Sequence, residues 1–147
     1  MKKIDANELL KLHGIRPTAN RILIIEMLAK QSSPISIKEL EAKVQTIDRS
    51  NIFRTLSLFR QYHLVHQIDN GIDGLLYELC TSVSHEVYDD RHVHFYCETC
   101  QQTTCLNEIP VPTIALPNEY VSLAANYVIK GYCPMCSAKQ KYDPRRK

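Results

Sequence analysis

Cys97-Glu98-Thr99-Cys100 and Cys133-Pro134-Met135-Cys136 put four thiols into two tight pairs. Two Cys-x-x-Cys pairs match the demand of a tetrahedral zinc ion, which takes four thiolates at about 2.3 Å and in a closed site stabilises a fold. The 32 residues between the pairs exceed the roughly 15–20 of a simple zinc ribbon. A metal there would staple two ends of a small domain. Disulfides are the alternative for paired cysteines. The amino terminus, Met1-Lys2-Lys3-Ile4-Asp5, runs straight into an amphipathic pattern instead of a secretory signal. The expectation is a reducing cytoplasm, where paired cysteines mean metal or redox work.

All six cysteines lie at or after position 80, so the chain changes character there. Its 147 residues allow one large domain or two small ones. Apolar residues make up 44%, enough for a core, and no run approaches the ~20 residues of a membrane span. Net charge is only +2, with 11 Lys and Arg against 9 Asp and Glu in residues 1–80. That slight basic excess points weakly to a nucleic-acid face in the first half.

The elements that must position these residues are helical in the first half. Leu9, Leu10 and Leu12 fall on a short helix over 5–13 that Gly14 can end. Thr18 caps a second helix, Ala19 to Lys30, with Ile22, Ile25, Leu28 and Ala29 at helical spacing. Ser36-Ile37-Lys38-Glu39 is a capping box opening a third helix that buries Leu40 and Val44. A fourth helix runs from near Asp48 to Tyr62 and buries Ile52, Leu56 and Phe59. Leu64 to Ile68 and Leu75 to Leu79 are strands around the turn-rich tip Asp69-Asn70-Gly71-Ile72-Asp73-Gly74. Helices followed by a hairpin make a winged helix-turn-helix. After a polar, acidic linker, Val93 to Tyr96, Gln102 to Leu106 and Tyr120 to Ile129 look like strands. Pro110, Pro112 and Pro117 argue against a long helix between the last two, and the basic tail Lys139 to Lys147 reads as frayed.

In a helix-turn-helix the second helix enters the major groove. Here Arg49, Asn51, Phe53 and Arg54 carry the useful chemistry. Arg bridges guanine, Asn bridges adenine, and an aromatic ring meets a thymine methyl. Arg16 and Arg21 would lie near the backbone or minor groove. The alternative is an ordinary surface helix with solvated charges.

Together these motifs resemble the ferric uptake regulator family of metal-sensing bacterial repressors, over nearly the whole chain. Gly14-Ile15-Arg16-Pro17-Thr18-Ala19-Asn20-Arg21 is similar to its opening motif, and Asn51-Ile52-Phe53-Arg54-Thr55-Leu56 to its recognition helix. Leu64-Val65, Tyr77-Glu78-Leu79, His92-x-His94-x-x-Cys97-x-x-Cys100 and Cys133-x-x-Cys136 follow in the family's order. The resemblance implies an α+β protein. Residues 1–80 would be a winged-helix DNA-binding domain, 81–90 a hinge, and 91–147 a small α/β dimerisation domain with a four-cysteine zinc site. It also implies a homodimer that binds palindromic operators in double-stranded DNA when loaded with metal. Asn51 and Phe53 stand where family members carry Thr and Tyr, Pro34 and Arg91 replace histidine-type positions, and the dimerisation domain's usual helix is missing. One secondary metal site is expected to be lost.

His66 on the first wing strand, Cys80 just past the second, and His92 with His94 before the knuckle form a candidate regulatory site. A thiolate with imidazoles suits Zn²⁺, although Fe²⁺ or Mn²⁺ are alternatives. The set resembles the zinc uptake regulator branch. Glu78 and His85 are reserves for any of the four. Each ligand also has a plainer reading: His66 as a surface histidine, Cys80 as an inert buried thiol. Cys105 reads as core packing or an occasional reactive thiol, and His13 and His63 as surface or helix-end residues. An iron- or peroxide-sensing regulator is the rival within the class, and a zinc-ribbon interaction module the rival outside it. An enzyme is not expected: there is no His-x-Glu with the knuckle, no phosphate loop and no paired catalytic carboxylates.

Overall fold

The computed structural model describes residues 5–72, 74–80, 93–122 and 125–139. The chain divides into two compact units, Met1–Asp90 and Arg91–Lys147. Among the described residues no helix is long and apolar enough to cross a membrane.

In the first unit, α1 (Ala6–Leu12), α2 (Ala19–Ala29), α3 (Ile37–Val44) and α4 (Arg49–Gln61) are followed by β2 (Val65–Asp69) and β3 (Leu75–Leu79). The two-residue β1 (Ile35–Ser36) pairs antiparallel with β3, giving a sheet ordered β1-β3-β2. The sequence shows no sign of β1, which is too short to carry a periodicity. Each of these four helices starts on a side-chain cap. Asp5, Thr18, Ser36 and Asp48 each accept backbone N–H groups of the first turn, satisfying donors that have no partner inside the helix. At Ser36 the box is complete: Glu39 N donates to Ser36 Oγ at 3.2 Å, and Ser36 N donates to Glu39 Oε2 at 2.9 Å.

Two helices end alike. After α1, Gly14 (φ +70°) turns the chain so that Ile15 N donates to Leu10 O at 2.8 Å. After α4, His63 (φ 55°) does the same, and Leu64 N donates to Phe59 O at 2.8 Å. In both, the residue past the turn is buried with the residue whose carbonyl it caps, the hydrophobic contact that accompanies such ends. Gly14 takes the left-handed conformation without a Cβ penalty, whereas His63 takes it with one.

Leu10, Ile24, Ile25, Leu40, Ile52, Leu56, Phe59 and Leu64 are fully buried in one core. The expected core residues of α3 and α4 are those found. On α2 the buried set is Ile24, Ile25 and Leu28, and Ile22 packs only partly buried. Leu12 is exposed.

The second unit is a sheet ordered β5-β4-β6, built from β4 (Val93–Cys97), β5 (Thr103–Leu106) and β6 (Tyr127–Gly131), with α5 (Pro134–Lys139) after it. β5 runs antiparallel to β4 and β6 parallel to it. A parallel partner needs a long crossover, which the proline-bearing stretch after Leu106 supplies. None of its described residues is helical. The last strand is shorter than the expected Tyr120 to Ile129. Tyr120 and Val121 are 71% and 82% exposed, so no buried face holds them in a sheet. The backbone also turns at Glu119 (φ 75°).

Replacing Ser36 with Ala removes one capping acceptor and should lower the stability of the first unit by about 1 kcal/mol. Chemical denaturation followed by helical circular dichroism checks this, and an unchanged midpoint would show the box to be dispensable.

Candidate metal centre and nucleic-acid interface

The first knuckle is the turn that joins β4 to β5. Cys97 N donates to Gln102 O at 3.0 Å and Gln101 N donates to Cys97 O at 2.8 Å, with Gln101 at φ 60°. The second knuckle is the start of α5. Cys133 precedes it, Pro134 takes the first helical position, where a missing N–H costs nothing, and Ser137 N donates to Cys133 O at 2.8 Å. Pro134 is the local signal for this helix, and along the sequence it reads only as part of a knuckle.

Parallel pairing of β4 with β6 delivers the second knuckle to the first. Cys97 stands opposite Gly131, and Glu98 N donates to Gly131 O at 2.8 Å. A Cβ on Gly131 would lie 3.2 Å from Phe95 Cζ, so a side chain there would crowd the strands' close approach beside the thiols.

The four sulfurs of Cys97, Cys100, Cys133 and Cys136 lie within 4.8 Å of one another. Cys100 Sγ and Cys133 Sγ are 3.9 Å apart. Tetrahedral zinc thiolate geometry requires sulfurs about 3.8 Å apart, so the cluster has the dimensions of a closed four-thiolate site. Backbone N–H groups of Cys100 and Cys133 aimed at the sulfur hold the Cys97 thiol down to about 6; the Cys133 N to Cys97 Sγ distance is 3.3 Å. A hydrogen bond with Cys133, together with burial, pushes Cys136 up to about 12. Without a metal, one thiolate forms readily and resists a second. A bound cation reverses that balance by displacing the remaining protons.

The candidate regulatory residues fall on both units. In the first, His66 is on β2, 8% exposed, and stands directly across from Glu78 on β3. It is therefore a buried strand residue, not the surface histidine of its plainer reading. Cys80 is half-buried past β3, and its N donates to Leu64 O at 3.0 Å. In the second, His94 is on β4, 6% exposed, and stands directly across from Cys105 on β5. Their ligand atoms lie within 4.8 Å of each other. Cys105 Sγ donates to Asn107 Oδ1 at 2.8 Å. Sequence reasoning missed Cys105 as a candidate ligand because only the β4–β5 register shows that it faces His94. His92 and His85 lie outside the described residues.

On the first unit, α3, a turn at Gln45 (φ 57°) and α4 form the helix-turn-helix. Ile52, Leu56 and Phe59 anchor α4, leaving Arg49, Asn51, Phe53 and Arg54 exposed on its other side. Phe53 is 52% exposed, so its ring is open to contact from outside the unit. Arg49 is shared with α3: its Nε lies 3.5 Å from Glu41 Oε2. Arg21 Nη1 donates to Arg16 O at 2.6 Å, so Arg21 braces the extended segment ahead of α2 while Arg16 is exposed.

A winged helix and a four-thiol sheet unit in one chain are the build of a metal-responsive DNA-binding regulator. Residues 12–129 match the Ferric uptake regulator family, and the chain belongs to that family, whose members are transcriptional regulators and not enzymes. It is 26% identical to the peroxide operon regulator of Bacillus subtilis (strain 168), covering 94% of this chain and 95% of that one. The fold is similar to a zinc uptake regulator complexed with zinc and DNA, at TM-score 0.68 and 14% identity over 93% of this chain and 98% of that one. It is also similar to the Vibrio cholerae ferric uptake regulator, at TM-score 0.59 and 20% identity over 88% and 100%.

Stripping metal with a strong chelator, or replacing Cys136 with Ser, should unfold the second unit and leave the helical unit folded. Hydrogen exchange resolved by residue checks this; protection of β4 and β6 that survives chelation would remove the structural role. Metal retention should also fall with acidification, because ions must displace the Cys136 proton.

Proposed function

We propose that this chain is a homodimeric, cytoplasmic repressor that binds operator DNA when zinc occupies a regulatory site, and so controls metal-uptake genes. Cys97, Cys100, Cys133 and Cys136 hold a permanent zinc. Arg16, Arg21, Arg49, Asn51, Phe53 and Arg54 make the DNA face. The regulatory ion takes four donors, His66, Cys80, His92 and His94, with Cys105, which stands across from His94, able to replace one of them. These ligands come from both sides of residues 81–90, the proposed hinge, so an ion held by all of them restrains one unit against the other. The metal acts as a switch only to the extent that it favours the DNA-competent arrangement.

The observation that carries the zinc reading is Cys105 facing His94 across β4 and β5. Thiolates with imidazoles favour zinc over the oxygen-rich donor sets that suit iron or manganese. The homodimer reading is supported by exposed apolar side chains in the second unit, among them Ile109, Ile114, Leu116, Tyr120 and Val121, which a second copy would cover. Iron or peroxide sensing is the second reading, favoured by the likeness to the Bacillus subtilis peroxide operon regulator.

The test is operator binding titrated against free Zn²⁺, Fe²⁺ and Mn²⁺ separately, for wild type, Cys80→Ser and Cys105→Ser. Zinc should act at the lowest concentration, and each variant should shift its midpoint by about tenfold or more. Equal DNA affinity at every metal level would end the sensor reading. An iron response untouched by either substitution would favour the second.

A further inference from the structure

Asp48 precedes α4, and both of its carboxylate oxygens are committed to one residue. Asn51 N donates to Oδ1 at 3.0 Å, the ordinary capping bond, and Asn51 Nδ2 donates to Oδ2. The second bond is not needed to cap a helix. A carboxylate only accepts, so the end of the Asn51 amide that faces it must be the amino end. The backbone N–H of Asn51 is the chief cause holding the Asp48 carboxyl below its usual range, so Asp48 stays ionised at neutral pH.

An unrestrained asparagine on a recognition helix can turn either end of its amide to a base. With the carbonyl outward it accepts from an amino group; with the amino end outward it donates to an oxygen or ring nitrogen. Asn51 is exposed, and so is Arg54 one turn further along the same face. We propose that Asp48 is a positioning residue for base readout: by binding the amino end of Asn51 it presents the carbonyl oxygen outward. The recognition helix then demands a base with an exocyclic amino donor at the facing step. In the major groove those are adenine, through N6, and cytosine, through N4. Guanine O6 and thymine O4 are acceptors and would meet an acceptor. Adenine gains further, since the second N–H of the Asn51 amide remains for its N7. This rests on the DNA-binding reading above.

The discriminating substitution is Asp48→Ser. Serine caps a helix as well as aspartate does, but its shorter hydroxyl donates as well as accepts, so it no longer selects the amino end of the Asn51 amide. The full chain, loaded with Zn²⁺, Fe²⁺ or Mn²⁺ in turn, is used to select from a random-sequence duplex library read by sequencing. Wild type should select adenine or cytosine at one position of each half-site. Asn51→Ala should lose the preference at that position alone. Asp48→Ser, with an unchanged melting transition, should admit guanine and thymine there, reducing discrimination about tenfold. If Asp48→Ser binds uniformly more weakly but keeps the wild-type base preference, Asp48 is only a cap and the inference falls. If wild type selects no motif with any metal, the DNA-binding reading fails and takes this one with it.

Discussion

The closure of four sulfurs at the end of β4 is the constraint on which the second unit depends. Among its described residues the buried apolar side chains are few: Val93, Tyr96, Cys97 and Cys136. Two of these are themselves members of the sulfur cluster. A unit this small buries too little surface to offset the entropy of ordering its chain, and such units need a staple. The parallel β4–β6 pair makes the need sharper, because its crossover is long and proline-bearing and contributes exposed side chains in place of a core. Strand pairing brings the knuckles together, and the knuckles in turn hold the strands.

The first unit is built the opposite way. Eight large side chains are buried completely, drawn from α1, α2, α3, α4 and the segment after it. Caps at each helix start and the two hydrogen-bonded helix ends settle where the elements stop. Its core is made of apolar side chains and not of a sulfur cluster. This frees the outer side of α4 to carry residues that packing would not choose, an exposed phenylalanine and two arginines, and frees His66 to sit buried in the wing opposite Glu78. A unit with its own apolar core joined to a unit built around four sulfurs suits a regulator, since the loss of a metal from the second need not unfold the first.

Much of this is legible along the chain. The buried faces of α3 and α4 follow from apolar residues three and four apart, which no other register could hide. Ser36 with Glu39, Thr18 and Gly14 are local signals, and local hydrogen bonds answer them. Where fold and sequence part, the deciding interaction is distant. Tyr120 and Val121 have strand-forming side chains but are exposed, and among the described residues the last strand begins at Tyr127. The two-residue β1 exists because β3 pairs with it.

By itself the sequence determined the donor set: four thiols in two pairs, imidazoles near a knuckle, and a basic helix after a capping box. Residue type and short-range spacing set that chemistry before any folding. Tertiary structure decided which donors face each other. Register alone sets Cys105 across from His94, because opposition in a sheet depends on strands paired across a turn and not on distance along the chain. A side-chain bond likewise decided which end of Asn51 looks outward, since an amide has two ends and only its neighbour can choose between them.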